Sequence, residues 1–168
     1  MGDSTIRELV YGKGAHADTL GCLDDLTAGA AAQRVPGYPH SIWQIVLHMN
    51  YWMDYELSQI AGKNPTYPDH AIDSWPEHPS RTNEEQWKAA RQHFAGGLEK
   101  LAALADADDA ELRRKLNDVN TVNKTPKQTT VRALLMQITA HNSYHAGQIA
   151  LLRRQAGVWP PERGGDTW

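Results

Sequence analysis

Residues 131–155, VRALLMQITAHNSYHAGQIALLRRQ, set the strongest limit on what this chain can become. Val131, Leu134, Leu135, Ile138, Ile149 and Leu152 recur at the three- and four-residue spacing that lines up one face of an α-helix. No proline interrupts the run. Thr129 or Thr130 stands where an N-cap belongs, and Gly157 with Pro160-Pro161 supplies the stop. A helix this long must bury its apolar face against other elements. Inside that same face sit His141 and His145, one turn apart, where packing alone would ask for Leu or Ile.

The rest of the chain offers helices to pack against. Ser41 and Gln44 form the S-x-x-Q pattern of a capping box, ahead of Ile42, Ile45, Val46, Met49, Trp52, Met53 and Ile60 at helical spacing, and Gly62 closes the run. Thr82 with Glu85 makes a second capping box. It opens a helix to about residue 104, with Trp87, Phe94, Leu98 and Leu101 as its stripe. Residues 6–32 read as the first helix, with Leu9, Leu20, Leu23 and Leu26 toward the core. Gly12, Gly14 and Gly21 work against it, each by about 1 kcal/mol relative to Ala.

Two connections complete the outline. Residues 106–116 read as a short extra helix, and 117–129 as a polar loop. Residues 63–80 carry Pro65, Pro68, Pro76 and Pro79, and an extended connection of that length is commonly functional or draped over something. With no repeat, no linker and no convincing strand, the expectation is an all-α chain. It is a four-helix bundle in a single domain, 1–168, with a long loop between helices 2 and 3 and a short helix before helix 4.

The totals narrow the function. A 168-residue chain with 40% hydrophobic and 22% charged residues can bury a core of its own. Its net charge of −3 provides no basic footprint for nucleic acid. No apolar run approaches the roughly 20 residues of a membrane span. MGDSTIRELV lacks the basic and apolar regions of a secretory signal. Cys22 is alone, which rules out an internal disulfide and fits a cytoplasmic protein. It reads as a small core residue rather than a nucleophile or ligand. Six Trp and six Tyr beside a single Phe favour half-buried positions and pocket walls.

Two imidazoles at i and i+4 project in parallel and can chelate one metal ion. His48 lies at the edge of the second helix's stripe, between Ile45 and Trp52, from where it can reach a metal held by a facing helix. Three neutral imidazoles with positions left over make a catalytic-type site, since a closed structural site takes four protein ligands. Spacing leaves a second reading open, a buried polar network of the histidines with Asn142, Tyr144 or Gln148. Glu56 falls on the Met49–Ile60 face. It could orient a ligand histidine or act as a general base, against the plainer reading of a rim carboxylate paired with an Arg. His16 and His93 are placed in helices, His40 before an N-cap, and His70 and His78 in the proline-rich loop. All five read as surface histidines, although His70 or His78 would approach the site if that loop folds over it.

The stretch Ser41-Ile-Trp-Gln-Ile-Val-Leu-His48-Met-Asn-Tyr-Trp resembles the second helix of DinB/YfiT-like proteins. His141-Asn-Ser-Tyr-His145-Ala-Gly-Gln-Ile-Ala-Leu-Leu-Arg resembles their last long helix, and the Gly-Gly-Asp-Thr-Trp tail at 164–168 is similar to a common family ending. The resemblance implies a four-helix bundle, usually a homodimer. It also implies a metal site of His48, His141 and His145 for nickel, zinc or a related divalent ion. It further implies thiol-dependent chemistry on a small-molecule substrate, either S-transfer with a low-molecular-weight thiol as cosubstrate or a related isomerisation. A metal-dependent transferase or hydrolase is the leading expectation. The alternative is a non-catalytic, stress-related bundle whose metal is structural or which senses a ligand. A haem between the helices is the weakest reading, since three clustered ligands exceed its axial positions.

Overall fold

The computed structural model describes residues 4–119 and 125–162, so the tail at 164–168 lies outside the described residues. Three long helices dominate: α3 (Ile42–Ile60), α4 (Glu84–Ala105) and α6 (Val131–Gln155). Around them stand the short helices α1 (Ser4–Val10), α2 (Ala28–Ala32) and α5 (Asp109–Leu112), and a hairpin of β1 (Lys115–Val119) with β2 (Pro126–Thr130). Among the described residues the chain is thus mostly helical with one small two-stranded sheet.

The long helices begin where their side chains cap them. Ser41 accepts from the Gln44 N–H at 3.3 Å while the Ser41 N–H donates to Gln44 Oε1 at 3.1 Å, the reciprocal capping box expected at this site. Thr130 caps α6 through Ala133. The second box is corrected by one residue: α4 is capped by Asn83, whose amide oxygen accepts from Gln86, so Thr82 stays outside. The free Glu84 carboxylate then takes the Ala28 N–H at 2.8 Å and ties α2 to α4.

All six apolar residues of the α6 stripe are buried, as are Ile42, Ile45, Val46, Met49, Met53 and Ile60 of α3 and Trp87, Phe94, Leu98 and Leu101 of α4. Each such side chain contributes roughly 1.5–3 kcal/mol relative to exposure. α3 runs through the middle, against both α4 and α6. On α4, Gly97 lets the helices approach closely, because a Cβ there would meet Met53 Cε at 2.4 Å.

Two expectations are overturned. The first helix does not run from 6 to 32: α1 ends at Val10, and Gly12 and Gly14 turn the chain with φ of +83° and +79°. Positive φ is inexpensive only for glycine, so here the glycines end the helix instead of merely weakening it. The segment continues through a 3-10 turn, Gly21–Leu23, to the five-residue α2. The second correction lies at 115–130. The extra helix is one turn long, and the residues expected as a polar loop pair as an antiparallel hairpin, Leu116 opposite Thr129 and Asp118 opposite Lys127. Of its apolar side chains Leu116 is buried, so almost no alternating pattern marks these strands.

Candidate metal centre

α6 carries His141 and His145 on the face that packs against α3, and α3 carries His48 on the face turned toward them. The three side chains meet. Nε2 of His141 lies 3.2 Å from Nε2 of His48 and 3.2 Å from Nε2 of His145. One ring nitrogen from each lies within 4.8 Å of the others, a group able to hold a metal ion.

The remaining ring nitrogens explain why these atoms converge. His48 Nδ1 sits 3.0 Å from the Ser74 carbonyl, which can only accept, so Nδ1 carries the proton and the Nε2 lone pair faces inward. His145 Nδ1 donates to Gln148 Oε1 at 2.6 Å, with the same consequence. Lone pairs directed at a common point repel unless a cation or a proton lies between them. Two ligands of a tetrahedral ion at ~2.0–2.1 Å stand about 3.3 Å apart, close to the two separations found. His141 Nδ1 is buried beside Asn142 without a hydrogen bond of normal geometry. The donor set therefore fits a divalent transition metal, with no further protein ligand gathered around it among the described residues.

The proline-rich connection supplies the rest of the surround. Gln44, having given its oxygen to the capping box, donates its NH2 to the Pro76 carbonyl at 2.9 Å. That anchor holds a 3-10 turn, Ala71–Ser74, against α3, so that Ser74 reaches His48. Trp75 follows as a flat spacer, stacked on His48 at 3.8 Å on one face and on His40 at 3.7 Å on the other. The draped loop of the sequence reading is thus a strap over the cluster. Its histidines are not part of that cluster: His78 bonds the Ala32 carbonyl, and His70 is exposed.

Burial keeps the imidazoles neutral. It pulls His48 down to about 4, with the neighbouring His145 and His40 adding to the effect and the Ser74 bond opposing it. Burial does the same to His141, to about 4, reinforced by His145 and His48. His145 is lowered as well, again chiefly by burial and against the Gln148 bond. Neutral imidazole is the form that ligates a metal.

Beside His141 opens a cavity of about 250 Å³ lined by Trp52, Glu56, Tyr67, Gln137, Ile138 and His141. Glu56 is 4% exposed, and its Oε1 accepts from Gln137 Nε2 at 3.2 Å while Oε2 has no partner. Burial, with Asp118 nearby, pushes its carboxyl up to about 7. It is therefore neither at the rim nor paired with an Arg, and the orienting of His48 and His145 falls to Ser74 and Gln148.

Sequence reasoning named Gln148 as a network partner and placed Trp52 on the helix stripe, and did not single out Ser74, Trp75 or Gln137. Gln137 stands one turn before His141 and was open to the same count. Ser74 and Trp75 carry no local signal. His16 sits in the glycine turns, not in a helix, its Nε2 2.8 Å from Ser143 Oγ. His93 pairs with Asp54, and His40, stacked on Trp75, is half-buried instead of solvated. Cys22 is a core thiol that burial pushes up to about 11, which removes it as a nucleophile. Among the described residues no helix is long and apolar enough to cross a membrane.

Comparison with curated proteins and with solved structures returned no match to either. A family profile does match, over residues 1–164, nearly the whole chain and the full span of the three histidines. The chain belongs to the DinB family.

Proposed function

We propose that this protein is a metal-dependent enzyme acting on a small molecule, with one divalent transition ion held by His48, His141 and His145. The observation that carries the reading is the convergence of three Nε2 atoms, two of them turned inward by acceptors on Nδ1. An ion there supplies Lewis acidity toward a thiol or a water near neutral pH. Imidazole ligation suits nickel and zinc, and the low-molecular-weight thiol of an S-transferase and the water of a hydrolase are the two nucleophiles to compare. Three protein ligands leave positions open, and the cavity at His141 gives a substrate a place beside them. That cavity favours an enzyme over a bundle with a structural metal, which needs no adjoining space.

The chain's own residues have separable tasks in this account. Ser74 and Gln148 fix the tautomers of His48 and His145, Trp75 shields one face of His48 from water, and Trp52 and Tyr67 wall the substrate space. At the level of architecture we read a single-domain four-helix bundle, 1–168, in which the broken segment of α1 to α2 takes the place of one helix. Pairing into a homodimer goes with that reading. The protein loaded with nickel or zinc should turn over a model electrophile with a small thiol, or hydrolyse an ester or amide, and His145→Ala should abolish it. A metal-loaded protein inert with every thiol and in hydrolysis would contradict the enzyme reading.

A further inference from the structure

The cavity beside the imidazoles is acidic and aromatic, and no Lys or Arg among the described residues lines it. Glu56 reaches it from α3 with one oxygen bound to Gln137 and the other buried without a partner. A carboxylate in that position is costly unless a cation or a second donor completes it. Around it three rings stand edge-to-face or tilted: Trp52 and Tyr67 at 5.4 Å, Trp52 and Tyr55 at 5.4 Å, Tyr55 and Tyr67 at 5.8 Å. Ring faces carry the negative end of the aromatic quadrupole and attract cations. Tyr67 also lines a second cleft of about 420 Å³ that includes Asp69 and the ion-paired Asp118. Lys127, the base that acts on Glu56 from outside, is tied to Asp118 at 2.9 Å.

We propose that this cavity binds a small protonated amine. The Glu56 carboxylate and the ring faces of Trp52 and Tyr67 hold the ammonium group, and the carbon chain extends toward His141. The space equals about eight waters at ~30 Å³ each, which fits a ligand of roughly five to eight heavy atoms. Glu56 then binds the substrate through charge and hydrogen bonding. The inference rests on the metal-centre reading only for placing this pocket beside the reacting atoms.

The test is calorimetric titration of metal-stripped protein with n-butylammonium, 1-butanol and butanoate. Stripping prevents the amine from binding as a metal ligand. The expected result is ammonium binding at least tenfold tighter than either isostere. Glu56→Gln should remove that preference, and Tyr67→Ala, which takes one ring face off the cavity, should weaken it severalfold with Glu56 in place. Equal affinities for the three ligands, or a preference that survives both substitutions, would overturn the proposal. Metal content, measured separately on each protein, keeps the two readings apart. Ammonium preference in a protein that takes up no nickel or zinc on loading leaves this inference standing and removes the metal centre; metal uptake on loading without the preference does the reverse.

Discussion

Four buried or half-buried titratable groups, His48 and Glu56 on α3 and His141 and His145 on α6, lie along the packing of these two helices, and burial drives the imidazoles and the carboxyl in opposite directions. For His48 and His141 the folded value near 4 lies below the ordinary 6.5, so the unfolded chain binds more protons between these limits. Their stabilising effect is full above pH 6.5 and is lost as pH falls toward 4. The metal-free protein should therefore melt at progressively lower temperature across that window, and a flat profile would contradict neutral, buried imidazoles. Glu56 has the opposite sign. Its folded value near 7 exceeds 4.5, so its contribution is present below 4.5 and is lost as pH rises through 7. Glu56→Gln should consequently stabilise the metal-free protein at pH 8, on the order of 1–3 kcal/mol, read as a rise in Tm. Gln148→Leu leaves His145 Nδ1 without its acceptor and should weaken metal binding about 10- to 100-fold, measured by competition with a chelator.

At the scale of elements, the strap over 63–80 is the part with the most leverage on the site. Gln44 serves the N-cap of α3 with its oxygen and the strap with its NH2, so one side chain couples helix initiation to the placement of Ser74. Gln44→Ala should cost about 1–2 kcal/mol in stability and lower metal affinity as well, whereas a purely capping residue would change stability alone. Denaturation midpoints and metal competition on the same variant separate the two. α6 ends on a second fastening. Arg153, 1% exposed, donates to the carbonyls of Cys22, Asp24 and Val158 and pairs with Asp25 at 2.6 Å. It holds the glycine-rich N-terminal segment onto the helix that carries His141 and His145. Arg153→Ala strands those acceptors and should cost about 3–5 kcal/mol by chemical denaturation.

Across the whole molecule, what was legible in the sequence follows the range of the forces involved. The α6 stripe, with His141 and His145 inside it, and the α3 capping box rest on periodicity and local hydrogen bonds, which a sequence carries openly, whereas periodicity alone left His48 on a stripe edge. The family resemblance joined His48 to that pair as a third ligand, and the profile match bears out the family itself. The break after α1 was underread because a glycine cost is small until positive φ makes it decisive, as at Gly12 and Gly14. The hairpin was missed because its inner face, Leu116, Asp118, Lys127 and Thr129, carries a single apolar residue, so burial alternates along the strands while hydrophobicity does not. Ser74 and Trp75 became site residues only through a carbonyl and a ring that long-range packing lays on His48. Metal should in turn hold these elements together. Saturation at 100 times Kd adds about 2.7 kcal/mol, so chelation should lower Tm by several degrees.

The central claim is that His48, His141 and His145 hold one divalent transition ion. Elemental analysis, after equilibration with nickel or zinc and removal of free ion, tests it most directly on the parent protein and on folded His145→Ala. The account predicts close to one ion per parent chain and a large loss in the variant. A parent without bound metal, or a variant that retains all of it, would contradict the account.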